Sequence, residues 1–123
     1  MGTWNLSGTT HHVFICNGSS CMRCQAEEVT QVLRAEIAAQ GADSLIHTTR
    51  TQCQGQCVDA CVVTVYPEGI WYKGVTPVLA EQIVNRHLIQ GQPLWELISY
   101  THDQEHGMVP TIHATRGFEK LVL

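Results

Sequence analysis

The six cysteines of this 123-residue chain fall into two groups of three. Cys16, Cys21 and Cys24 are spaced C-x4-C-x2-C, and Cys53, Cys57 and Cys61 are spaced C-x3-C-x3-C. A fold that uses both groups together must bring two distant loops to one place. Gly18 lies inside the first group and Gly55 inside the second. Glycine permits close backbone approach and positive φ, so amide N–H groups there can be aimed at sulfur. Incidental buried thiols would not cluster in this way. Ligation or redox chemistry is the expectation.

The elements around these loops say how they can meet. Residues 11–16 (HHVFIC) read as a short buried strand, followed by the turn-forming NGSS. Residues 22–40 switch to helical period, with Val29, Val32, Leu33, Glu36 and Ile37 on one stripe and Gly41 as the stop. Residues 45–51 read as a second strand, 52–60 as a loop, 61–66 as a third strand, and 70–75 as a fourth. Pro67-Glu68-Gly69 is the turn between the last two. Thr76-Pro77 opens a second helix as N-cap and first helical residue. Leu79, Ile83, Val84, His87 and Leu88 form its apolar stripe, and Gly91 ends it. A helix joining two strands implies a parallel pair, to which a hairpin is added. The expected fold is α/β and thioredoxin-like, a four-stranded mixed sheet with two main helices. In such a layout the two cysteine loops can lie at the same end of the sheet. Residues 1–10 read as a loose arm, 11–95 as the folded domain, and 96–123 as a tail with a short helix near 94–100. That tail holds no cysteine, so it is expected to be dispensable for any site the cysteines build.

At this point the residues resemble a known family. Cys16-x4-Cys21 and, some thirty residues on, Cys53-x3-Cys57 look like the thioredoxin-like [2Fe–2S] ferredoxins. These include the small subunit of respiratory complex I and of NAD-linked hydrogenases. The stretches CQGQCVDACVVTVYPEGIWYKGVTP (residues 53–77) and HLIQGQPL (residues 87–94) resemble the free-standing members. The resemblance implies a one-electron carrier, not an enzyme, with a [2Fe–2S] cluster held by Cys16, Cys21, Cys53 and Cys57. It also implies redox protein partners and a homodimer. The x4 gap is closer to the complex I subunit. Cys24 and Cys61 are additions, with Cys61 standing where the family often has proline, and either could take a neighbour's place as ligand.

Two other readings use the same residues. Cys21-Met22-Arg23-Cys24 is a C-x-x-C motif after the first strand, as in a thiol–disulfide oxidoreductase, although this leaves Cys53 and Cys57 without a role. The same spacing suits a zinc-stabilised binding module, but the second group is unlike a zinc knuckle. No histidine sits at a ligand spacing. His11, His12 and His47 read as strand residues, and His102, His106 and His113 as solvent-facing. Trp71 and Tyr72 alternate on a strand, so one is expected in the core and the other at a loop or interface.

Seven basic against eleven acidic residues, with no Lys/Arg run, argue against nucleic acid as a partner. No apolar stretch is long enough to span a bilayer. The first ten residues lack the pattern of a secretory signal, so a reducing, cytoplasmic setting is expected.

Overall fold

The computed structural model describes residues 2–120. Strand β1 spans His11–Cys16, and a short helix α1 spans Ser19–Arg23. Helix α2 spans Ala26–Ala39, and strand β2 spans Ile46–Thr51. The single helix expected over 22–40 is therefore two. The break falls at Gln25, a non-glycine residue in the left-handed region with φ 67°, which redirects the chain from α1 into α2.

A 3-10 turn, Cys57–Asp59, precedes β3 (Val63–Tyr66) and β4 (Ile70–Tyr72). Helix α3 (Pro77–Gln82) starts as its sequence foretells. The Thr76 side chain accepts the Leu79 N–H at 3.2 Å, and Pro77 occupies the first turn. The helix widens into a π-type segment over Ile83–Ile89 and ends before Gly91, whose φ is 72°. The stripe is in place, with Ile83, Val84, His87 and Leu88 buried.

The sheet has six strands in the order β2-β1-β3-β4-β5-β6, not the four expected. The two further strands are β5 (Ile98–Asp103) and β6 (Gly107–Pro110), in the region expected to be a short helix and an irregular tail. Only the 3-10 turn Trp95–Leu97 stands where a short helix was expected. Backbone pairing with β4 recruits β5, whose Ile98, Tyr100 and Thr101 are strand-favouring residues. Thioredoxin-like α/β architecture is retained, with β1 and β2 parallel and the other neighbours antiparallel.

Alternation divides the sheet into two faces. Val13, Ile15, Val63, Val65 and Tyr72 point into a fully buried core shared with Val29, Leu33 and Ile37 of α2 and with Ile83 and Val84. Helices α2 and α3 contact each other, and Gln40 Nε2 donates to Asn85 Oδ1 at 2.8 Å beyond the end of α2. The opposite face carries His12, Phe14, Tyr66, Trp71 and Tyr100, all half-buried. Phe14 meets Tyr66 edge-on, and the Trp71 indole N–H donates to the Tyr66 hydroxyl at 3.3 Å. Tyr72 is thus the core member of the Trp71–Tyr72 pair.

Candidate metal centre

Parallel pairing of β1 with β2 puts their carboxyl ends, Cys16 and Thr51, side by side in register. Strand β3 runs antiparallel to β1, so it begins at that same end. All six cysteines leave the sheet there. The two loops touch directly at Gly18. A Cβ on that residue would lie 3.0 Å from the Cys53 backbone N and Cα, so only glycine lets the chains pass this closely without displacement. The φ of Gly18 is −65°, which leaves the near contact as its constraint. Gly55 has the positive φ, 85°, and its N–H donates to Cys53 Sγ at 3.3 Å.

The thiols divide into an inner and an outer set. Cys16, Cys21 and Cys61 are buried, whereas Cys24, Cys53 and Cys57 are exposed. Within the inner set, the Cys21 thiol interacts with those of Cys16 and Cys61. Cys16 Sγ donates to the Gln52 carbonyl at 3.5 Å, and Cys61 Sγ approaches the Cys16 carbonyl at 3.9 Å. Burial pushes the Cys21 thiol up to about 11 and the Cys61 thiol up to about 12. In the outer set, Cys53 Sγ and Cys57 Sγ are 3.3 Å apart. The Gly55 amide draws the Cys53 thiol below its usual range, and Cys53 pushes its neighbour Cys57 up, partly offset by the Ser20 hydroxyl from α1.

Cys16, Cys21, Cys53 and Cys57 are therefore brought to one end of the sheet, two from each loop. Cys24 is the exposed C-cap of α1, and Cys61 packs beneath Cys16 and Cys21. An all-thiolate [2Fe–2S] cluster takes four such donors. The donor chemistry fits, and the Gly55 amide aimed at Cys53 sulfur supplies the kind of hydrogen bond that stabilises a ligating thiolate. Among the described residues, no three His, Cys, Asp or Glu side chains are arranged around a single metal ion. A dithiol oxidoreductase attacks with a thiol of lowered pKa, and the buried, raised thiol of Cys21 is the reverse.

The structure adds Asp59, which the sequence reading passed over. The residue is only 8% exposed, two positions beyond Cys57, and its Oδ2 has no hydrogen-bond partner. A lone carboxylate in the otherwise uncharged stretch CQGQCVDAC was the available signal.

Residues 5–87 match the family model described as thioredoxin-like [2Fe-2S] ferredoxin. A candidate 2Fe-2S ferredoxin of Priestia megaterium is 53% identical over 108 residues, which is 88% of this chain and 84% of that one. The solved structure of a thioredoxin-like [2Fe-2S] ferredoxin from Aquifex aeolicus superposes with a TM-score of 0.71 at 28% identity, over 80% of this chain and 97% of that one. One of the NADH-quinone oxidoreductase chains of Rhizobium meliloti is 28% identical over 83 residues, 64% of this chain and 30% of that one. The family match and the relatives make this chain a one-electron carrier built around a [2Fe–2S] cluster, not an enzyme. The chain belongs to the thioredoxin-like [2Fe–2S] ferredoxin family.

Proposed function

We propose that Cys16, Cys21, Cys53 and Cys57 hold the cluster, and that the chain passes single electrons between a reductase and an acceptor enzyme. The observation that carries this is the contact of Gly18 with the Cys53 backbone, which closes the first loop on the second. The cluster supplies the one-electron redox couple. The chain's own residues bind it, screen it and present it. The inner pair, Cys16 and Cys21, would face the core, and the outer pair, Cys53 and Cys57, would face solvent. Electrons would then pass on the outer side, where Val58 is 84% and Met22 47% exposed. That apolar rim around the exposed thiols suits a partner that excludes water on docking. The net charge of −4 favours basic partner surfaces.

The redox unit is proposed to span residues 11–95, with 1–10 as an arm and 96–123 as an addition to it. The half-buried aromatic face of Phe14, Tyr66 and Trp71 supports a homodimer in which a second copy covers the hairpin. Sedimentation should give twice the chain mass, reverting to one chain in Trp71→Arg. Six free cysteines suit a reducing, cytoplasmic compartment, which cell fractionation would check.

Iron and acid-labile sulfide assays on anaerobically purified protein test the core of the reading. About two of each per chain are expected, with a low midpoint of about −400 mV, as in all-cysteine plant-type clusters. Stoichiometric zinc without sulfide would overturn it.

A further inference from the structure

The C-terminal segment does not trail away from the cysteine end of the sheet; it returns to it. After β6 the chain turns sharply. The Thr111 N–H extends the β5–β6 pairing to the Ser99 carbonyl at 2.9 Å, and the turn then closes with the Ala114 N–H on the Thr111 carbonyl at 3.1 Å and the His113 N–H on Thr111 Oγ1 at 3.1 Å. Lys73 Nζ then donates to the His113 carbonyl. Two residues further on, Thr115 Oγ1 donates to Asp59 Oδ1 at 2.7 Å.

Asp59 closes the 3-10 turn that begins at Cys57. Its backbone carbonyl accepts the Gly74 N–H at 2.8 Å, so the turn is pinned to the β4–α3 connection on one side. On the other side it is pinned by Thr115. The preceding stretch of the loop is tied mostly to itself and to Thr51. Gln54 Nε2 reaches Thr51 Oγ1, Gly55 N–H reaches Cys53 Sγ, and Gln56 Nε2 reaches the Gly55 carbonyl. A buried carboxylate with one oxygen already unpartnered depends heavily on the single hydroxyl that satisfies the other. Without that hydroxyl, the favourable course for Asp59 is to swing towards water and take the Cys57 turn with it.

We propose that residues 111–115 form a strap, in which the Thr115 hydroxyl, acting through Asp59, positions the turn that presents Cys57 and so sets how firmly the cluster is retained. This rests on the reading of Cys57 as a ligand. It gives a role to a segment beyond residues 5–87, the part that matches the family model, and it replaces the expectation that the tail is dispensable.

The test uses the full-length, cluster-loaded protein and follows loss of its visible absorption in excess iron chelator, alongside the resonance of the reduced cluster. Thr115→Val keeps the shape and removes the donor. It should speed cluster loss about tenfold, equivalent to about 1.4 kcal/mol. Thr115→Ser, which keeps the donor, should restore the slow rate and the native resonance. Ile37→Val in the core of α2 controls for general destabilisation. If it speeds loss as much as Thr115→Val does, the strap has no special hold and the proposal fails. Cys57→Ser separates the ligand from the strap. An unchanged spectrum in that variant overturns the ligand assignment and the strap together. A changed spectrum there, with native release from Thr115→Val, overturns the strap alone. If Thr115→Val cannot be loaded at all, Thr115→Ser decides: native retention supports the hydroxyl's role, and equal failure refutes it.

Discussion

The two ends of β1 are about 17 Å apart by strand rise, and they are built on opposite terms. At the Cys16 end, thiols crowd together with few partners, and a buried carboxylate oxygen is left unpaired. At the His11 end, a hydrogen-bond chain is nearly closed. The Leu94 N–H donates to the Tyr72 hydroxyl at 3.2 Å, which lies 2.8 Å from His87 Nδ1. His87 Nε2 lies 2.8 Å from Glu68 Oε2, which also meets His11 Nε2 at 3.2 Å. A neutral His87 that accepts from Tyr72 and donates to Glu68 satisfies every member. Buried polar groups are costly unless paired. The paired end serves the fold, and the end left short of partners is the one where the cluster is proposed to sit. On that proposal, the fold keeps its stability and its chemistry at different ends of one strand.

Cysteine replacement should disrupt this division most severely. Serine at Cys16, Cys21, Cys53 or Cys57 should abolish or visibly shift the cluster's absorption and resonance while far-ultraviolet circular dichroism stays native. A native cluster spectrum in any of the four would remove that residue from the ligand set. The opposite pattern is expected from Tyr72→Phe, which leaves His87 Nδ1 and the Leu94 N–H without their partner. Unfolding by urea should show a loss of about 1–3 kcal/mol, with the cluster spectrum unchanged in the folded protein. A spectral change there would mean the two ends are coupled.

A third measurement probes the His11 end through pH. Burial holds the His87 pKa below its ordinary 6.5, and Glu68, paired with His87, lies below its ordinary 4.5. In both cases the unfolded chain binds the proton more readily. The contributions of these two groups are therefore in place above pH 6.5; that of His87 is lost as the pH drops below it, and that of Glu68 under pH 4.5. For His87 alone the slope cannot exceed about 1.4 kcal/mol per pH unit. His87→Gln should flatten part of the slope below pH 6.5, leaving the share of His12, which burial also holds below 6.5; an unchanged slope would place its origin elsewhere. The smallest effect is expected from Cys24→Ser and Cys61→Ser, whose spectra should stay near the parent's. Should either lose the cluster while its neighbour's variant, Cys21→Ser or Cys57→Ser, keeps it, the ligands have exchanged.

Much of the cysteine end was legible from local pattern. Strand, glycine turn and helix stripe placed the first group after β1, and Pro67, Gly69 and Thr76-Pro77 punctuated the second half. The β5–β6 hairpin was missed although Ile98 and Tyr100 alternate with Ser99 and Thr101; the run is short, and only its pairing with the edge of β4 fixes it as a strand. His87 was read as one member of an apolar stripe, and the tail as irregular. Their partners, Glu68 and Asp59, lie 19 and 56 positions away, beyond anything a helical or strand period can report.

That two cysteine loops can meet at the end of a small α/β sheet was readable from the order of residues alone, since spacing, glycine placement and hydrophobic period are local properties. Which thiols are buried and which face solvent was a matter for the folded chain. So were the six strands of the sheet and the resting place of Thr115 on Asp59. Those outcomes depend on which distant backbone edges and side chains share the same space, and that is settled by packing and desolvation across the whole chain.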